Sequence, residues 1–409
     1  MSTLTMTKPS AAEVTSTATK SKRIQSIDLL RGVVMIIMAL DHVRDYFHAD
    51  AFLYNPEDLS RTNVLLFFTR FITHYCAPVF VFLAGTSAYL SGAKKTKKEL
   101  SFFLLTRGIW LVLVELFILG LFRTFNPTFP YFNLQVIWAI GICMIALSAL
   151  IYLNLRSILV IGILLITAHN LLDSVHVTGN NLPAFFWSFL HDVNHFTLGR
   201  FTFYVHYPVL PWLGIMLTGY YFGQLYISGY DPVKRRNILL YLGFGAIVLF
   251  IILRSGNFYG DAAYWSVQKN TVFSLLSFIN VTKYPPSLLY TLITLGPAFV
   301  FLAFAEKPLN ALSAKITIFG RVPMFYYLAH ILMIHILATI GAIITGYKLS
   351  DMILSTSVMS SPGLKGYGFN LLTVYAVWIG LVLFLYPFCK WFDRYKRANN
   401  SKQWWLSYL

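Results

Sequence analysis

Long apolar runs broken by short polar segments organise this chain. The runs fall at roughly 27–46, 64–91, 101–122, 134–153, 157–173, 205–227, 238–254, 287–305, 317–345 and 369–389. A hydrocarbon core about 30 Å thick is crossed by about 20 helical residues. The pattern therefore predicts an all-α fold, a polytopic transmembrane helical bundle of about ten spans, within a range of roughly nine to twelve. Segments 64–91 and 317–345 exceed one crossing and predict tilt or extramembrane turns, whereas 157–173 is short. The runs are too long for barrel strands, and the alternation of a membrane barrel is missing. Residues 1–23 are polar, rich in Ser and Thr, and end in Lys20, Lys22 and Arg23. They read as a disordered cytoplasmic tail. Residues 24–390 then form the transmembrane domain, and 391–409 a cytoplasmic C-terminal tail. The first run is too long and too charged for a signal-peptide core.

Composition and charge sharpen this picture. Hydrophobic residues make up 57% of the 409 and charged residues only 12%, about half the soluble average. One soluble core cannot bury so much apolar surface, but lipid accepts it when the backbone is paired inside helices. The formal charge of +16 lies between the apolar runs and not on one domain, which argues against nucleic acid and for positive cytoplasmic loops. With the N-terminus inside, the cytoplasmic connections carry Lys94, Lys95, Lys97 and Lys98, then Arg156, then Lys234, Arg235 and Arg236, then Lys307 and Lys315. Lys390, Arg394, Lys396 and Arg397 follow the last run, so both termini are expected in the cytoplasm. The opposite connections, 47–63, 123–133, 174–204, 255–286 and 346–368, are longer and poorer in positive charge. Residues 181–212 hold His191, His195 and His206 among many aromatics, the composition of an interfacial belt. The three cysteines (Cys76, Cys143 and Cys389) are scattered and imply neither disulfides nor a metal site. Phosphate-loop, dinucleotide, HExxH and GxSxG motifs are missing.

Ionisable residues inside spans are costly and face a partner, the bundle interior or a wet cavity. In the first span Arg31 and His42 are eleven residues apart, about 16 Å along the axis and about 20° apart in direction. Asp28 lies three before Arg31 and Asp45 three after His42, spacings at which side chains meet. Gly32 permits close helix packing. Arg70 and His74 share a face of the second span, ahead of Pro78. Gly85 and Ser87 offer it a small-residue surface. Arg107 and Glu115 lie in the third span, where Glu115 needs a cation or imidazole partner, drawn from Arg70, Arg107 or His74. Arg321, His330 and His335 lie in the ninth, with His330 a secondary candidate. A histidine changes protonation near neutral pH and serves as a base. Asp41 or Asp45 would orient His42. Ion pairs serving packing alone are the competing reading of the stripe.

The segment Arg23-Ile-Gln-Ser-Ile-Asp28-Leu-Leu-Arg31-Gly32, the segment His74-Tyr-Cys-Ala-Pro78-Val-Phe-Val-Phe-Leu-Ala-Gly85 and the later Pro211-Trp-Leu-Gly214 resemble the heparan-alpha-glucosaminide N-acetyltransferase family of membrane acyltransferases. The likeness is strongest over 23–125 and extends to about 225. It implies transfer of an acetyl group from cytosolic acetyl-CoA, without a metal, to a sugar or amino-sugar acceptor on the far side of a membrane, here expected to be a bacterial cytoplasmic (inner) membrane. The family's catalytic histidine follows the first helix, which corresponds to His48. Related bacterial sugar O-acyltransferases have an arginine and a histidine eleven residues apart, which corresponds to Arg31 and His42. The base is thus His42 or His48, with Asp41 or Asp45 beside it. Asp28, Arg31, Arg70, His74, Arg107 and Glu115 are expected around the donor. Expected partners are membrane lipids, a glycolipid or polysaccharide acceptor, and a second copy of the chain if it is a homo-oligomer. A proton-coupled solute transporter and a noncatalytic assembly protein are the rival readings.

The charge pattern yields a direct test. A tag in 255–286 should be labelled by an impermeant reagent in intact cells; labelling only after permeabilisation would reverse the orientation.

Overall fold

The computed structural model describes residues 24–399 together with 403 and 406. The expected tail 1–23 lies outside them, as does most of 400–409. The first half contains α1 (Gln25–Phe47), α2 (Val64–Phe71), α3 (Cys76–Ser91), α4 (Lys97–Leu113), α5 (Gly120–Thr124), β1 (Tyr131–Leu134), α6 (Val136–Leu150) and α7 (Leu155–Ala168). The second contains α8 (Leu182–Leu190), β2 (Asn194–Leu198), β3 (Phe201–Val205), α9 (Val209–Phe222), α10 (Pro232–Gly256), α11 (Thr271–Ile279), α12 (Leu288–Phe304), α13 (Ala311–Arg321), α14 (Pro323–Ile344) and α15 (Leu371–Asn399). Polar residues at the ends of the loops start many of these helices. Asn63, Asn154, Asn181, Asp231, Asn270, Ser287 and Asn310 each accept a first-turn backbone N–H, and Thr96 with Glu99 forms a capping box.

Every segment read as a span contains a helix. Among the described residues six helical stretches are long and apolar enough to cross a membrane: Val64–Lys94, Lys97–Thr124, Leu155–Leu172, Pro232–Gly256, Pro323–Ile344 and Leu371–Asn399. Val136–Leu150 and Leu288–Phe304 are shorter apolar helices. The two over-long segments are interrupted. Between α2 and α3 the chain tightens into a 3-10 turn at Ile72–Tyr75. Pro78 lacks the N–H that would bond the His74 carbonyl four residues earlier, and the Tyr290 hydroxyl donates to that carbonyl instead at 2.7 Å. The other long segment divides at Val322–Pro323, so Arg321 and His330 belong to different helices.

One expectation needs correction: the fold is not purely α. β1, β3 and β2 form a small sheet, with β1 parallel and β2 antiparallel to β3. The segment 194–205 alternates in side-chain type around Gly199, which turns with φ +58°. Its aromatic richness masks that alternation. A sheet with open edges is not tolerated in hydrocarbon, so these strands mark an extramembrane layer, and α9 starts at Val209 and not at 205.

Glycine decides how the helices cross. At the α1–α13 contact a Cβ on Gly32 would lie 2.2 Å from the Ile316 carbonyl oxygen, and one on Gly320 would lie 1.9 Å from that of Asp28. Facing glycines recur at α4–α6 (Gly108, Gly141), α3–α9 (Gly85, Gly219), α7–α9 (Gly162, Gly214) and α10–α12 (Gly243, Gly296). Lipid gives helices no hydrophobic reason to associate, so close backbone approach and dispersion carry the packing. Against α1 pack α3, α12, α13, α14 and α15.

Gly320→Leu should therefore unfold the detergent-solubilised protein at lower temperature, at a cost of about 3 kcal/mol, the upper end of ordinary overpacking. Gly380→Leu, where a Cβ meets nothing within 4 Å, should leave the melting temperature nearly unchanged. Equal melting of both variants would contradict the packing argument.

Candidate functional site

Two cavities run along α1. The larger is an open cleft of about 990 Å³ whose polar wall includes Arg31, Ser87, Ser91 and Arg107, with Met35, Leu104, Ile140 and Met324 among its apolar lining. The smaller, about 370 Å³, is lined by Asp41, His42, Thr73, Gln135, Tyr207 and Lys283 among others. Phe80, Val136 and Tyr327 line both. Arg31 and His42 thus open onto adjoining compartments, about 16 Å apart along one helix.

Arg31 is oriented from three sides. Its guanidinium lies 3.3 Å from Asp28 and donates to the Gly320 carbonyl at 3.2 Å and to Ser87 Oγ at 3.1 Å. The expected Asp28–Arg31 pair is present, and Asp28 also faces Arg321 at 3.8 Å. Arg107, from the third span, joins Arg31 in the cleft wall.

The carboxylates expected to orient His42 are held by arginines. Arg44 forms an ion pair with Asp41 at 2.7 Å and donates to Asp45 at 2.6 Å. Asp41 also accepts from Arg70 at 2.9 Å and from Thr73 at 2.9 Å. One guanidinium fork satisfies two carboxylates at once, and Arg44, three after Asp41 and beside Asp45, reaches both. The neighbours of the His42 ring come instead from α14: the rings of His330 and Tyr327 lie 5.4 and 6.1 Å away. His330 Nδ1 donates to the Tyr326 carbonyl at 2.8 Å, so Nε2 keeps its lone pair.

Glu115 is fully buried and its partner is Arg123, not Arg70, Arg107 or His74. The helix widens into a π-turn at Val114–Leu119, which changes the register of the residues that follow. Arg123 also donates to the Tyr327 hydroxyl at 3.0 Å. This leaves the Tyr327 proton free to be donated where the two cavities adjoin.

Arg70 and His74 share an acceptor, as their spacing of four allows, but it lies in a loop. Glu57 Oε1 accepts from His74 and sits 3.4 Å from Arg70 Nε. Burial would raise the Glu57 carboxyl, yet Arg70 and His74 outweigh it and hold it below the usual carboxylate range. The segment 255–286 is likewise structured. Arg254 donates to the carbonyls of Ala263, Ser277, Phe278 and Asn280, and Asp261 accepts from Thr282 and Ser287. That anchoring delivers Lys283 to the small cavity. Sequence reading missed Arg44, Glu57, Arg123, Lys283 and Tyr327, whose partners are fixed by tertiary contacts.

His48 ends α1 with 6% exposure and pairs as a β-bridge with Phe369. Burial holds its imidazole below the ordinary histidine range, against the pull of Asp50. His48 is not among the residues lining either cavity. His195 stacks on Tyr204 at 4.0 Å, and His206 meets Tyr284 edge-on at 4.0 Å.

With this geometry in hand, comparison with known families is informative. The profile described as "Heparan-alpha-glucosaminide N-acetyltransferase, catalytic" matches residues 23–252. The match takes in Arg31, His42, His48, Arg70, His74, Arg107 and Arg123, while Lys283, Tyr327 and His330 lie beyond it. No curated protein matches the chain.

The Glu57 cluster sets a pH dependence. A carboxyl held low stabilises the fold above its unfolded pKa of about 4.3, and that stability is lost as pH falls toward the folded value. Glu57→Gln should lower the melting temperature in detergent at pH 7, by about 1–3 kcal/mol of stability. The gap from the unsubstituted protein should narrow below about pH 4. A gap independent of pH would deny Glu57 its charged role.

Proposed function

The chain belongs to the heparan-alpha-glucosaminide N-acetyltransferase catalytic family, and from that premise we propose that it moves an acetyl group from cytosolic acetyl-CoA to a sugar or amino-sugar acceptor across a bacterial cytoplasmic membrane. The observation that carries this reading is the pair of adjoining cavities, with arginines in the wall of one and His42 in the wall of the other. Ten spans cross the membrane in it: α1, α2–α3, α4–α5, α6, α7, α9, α10, α12, α13–α14 and α15. Both termini are cytoplasmic, and lipid covers the exposed apolar faces. Arg31 and Arg107 then sit toward the cytoplasm, where they attract the donor's phosphates, and the apolar lining of the cleft takes its thioester arm.

His42 accepts the proton of the acceptor hydroxyl or amine as that atom attacks the thioester carbonyl. The carbon–sulfur bond breaks and the thiolate leaves toward the cleft. Tyr327, bonded by Arg123, donates a hydrogen bond to the developing oxyanion, and the proton taken by His42 passes to the leaving thiolate. The ring of His330 lies beside the imidazolium, and Lys283 and Tyr207 face the acceptor. His42 fits the base better than His48 because it lines a cavity and has Tyr327 within reach.

Purified protein, labelled acetyl-CoA and a membrane-extract acceptor pool test this. His42→Ala should cut transfer by about 10²-fold or more, the usual worth of a general base, and still bind acetyl-CoA; His48→Ala should retain transfer. Loss in His48→Ala alone would move the base to His48. No transfer by folded protein with any acceptor, or no saturable acetyl-CoA binding, would overturn the enzyme reading.

A further inference from the structure

At the end of α7 and the end of α8, away from both cavities, His169, Asp173 and His191 converge. One ring nitrogen of each histidine and one carboxylate oxygen of Asp173 lie within 4.8 Å of one another. The two histidines are 3% and 4% exposed. Burying two imidazoles beside a carboxylate costs desolvation unless their polar atoms are engaged. Neither ring nitrogen of His169 forms an ordinary hydrogen bond, although the Pro286 carbonyl approaches the ring. We propose that His169, Asp173 and His191 bind a divalent transition-metal ion, Zn²⁺ in the first instance.

The donor set selects the metal class. Two imidazoles and one carboxylate suit Zn²⁺ and its neighbours, whereas Mg²⁺ and Ca²⁺ take oxygen ligands. Three protein ligands leave a fourth position for water. The surroundings are those of metal ligands, whose outer atoms are held by carbonyls and amides. His191 Nε2 lies 2.8 Å from the His169 carbonyl oxygen and 3.6 Å from Asp173 Oδ1. Nε2 is therefore the ring atom that faces Asp173, and coordinating an ion through it replaces its contact with the His169 carbonyl. Asn170 Nδ2 donates to Asp173 Oδ2 at 2.8 Å, and Asn170 Oδ1 accepts from Leu288 N at 3.0 Å. That link fixes the carboxylate and ties the cluster to the start of α12. Trp187 stacks on His191 with ring centres 5.6 Å apart. An ion here would clip the end of α7 to the end of α8 and close the segment between them, so that its binding energy adds to folding stability.

The site stands apart from the acetyl-transfer reading, and its test needs no activity. Full-length protein without a histidine tag would be stripped with chelator and titrated with Zn²⁺, then with Co²⁺. One Zn²⁺ per chain is expected, with a rise in melting temperature and, for Co²⁺, the visible bands of a tetrahedral site. Asp173→Asn and His191→Ala should lose the stoichiometric ion and the thermal shift. His176→Ala, which removes the exposed partner of Asp192, should keep both. Asp173 is partly exposed, so its substitution is the variant least prone to misfolding. No stoichiometric Zn²⁺ in folded protein, or equal binding by Asp173→Asn, would overturn the proposal.

Discussion

The structure depends on taking a charged helix into the middle of an apolar bundle. α1 carries Asp28, Arg31, Asp41, Arg44 and Asp45, and among the described residues α2, α3, α12, α13, α14 and α15 pack against it. An ion removed from water costs several kcal/mol unless a partner and hydrogen bonds compensate it. Here compensation arrives in connected sets. Arg44 takes both nearby carboxylates, Arg70 shares Asp41 and Glu57, and His74 completes the chain. The position of the loop before α2 follows, because Glu57 must reach inward. So does the break between α2 and α3, where the His74 carbonyl is handed to Tyr290 on α12. Charge on one helix thereby fixes the placement of elements far away in sequence.

Steric and electrostatic requirements meet on the same residues. Gly320 lets α13 approach until its carbonyl accepts from Arg31, so the crossing that packs α1 also aims the guanidinium into the cleft. At the other end, α14 brings Tyr327 and His330 beside His42, and the Glu115–Arg123 pair fixes the Tyr327 hydroxyl. Arg31, Asp41 and Tyr327 are each held by a residue from another helix, an arrangement that gives long side chains definite positions.

What could be read from the sequence follows from how far the relevant signal travels along the chain. The apolar runs and the Asp28–Arg31 pair are local, and both are present. The expected Arg70–His74 relation also holds, since four residues return to one helical face. Glu115 found its partner beyond a π-turn that no hydropathy pattern marks. The neighbours of His42 lie near residue 330, so spacing along α1 pointed to aspartates that Arg44 already holds. The strands at 194–205 were hidden because aromatics at a membrane interface and aromatics in a small sheet have the same composition. His169 and Asp173 are four residues apart, but His191 lies eighteen further on, and only folding brings it to them.

The narrow wall shared by the two cavities bears on the electrical life of the membrane. Phe80, Val136 and Tyr327, two apolar side chains and one phenol, line both. A hydrated cation entering there would have to shed water against two apolar side chains and a phenol held by the Arg123 guanidinium, a barrier of several kcal/mol. A neutral two-carbon fragment handed from one bound molecule to another carries no charge through the gap. In the proposed transfer, chemistry would connect the two cavities without an open pore, and the membrane voltage would be held.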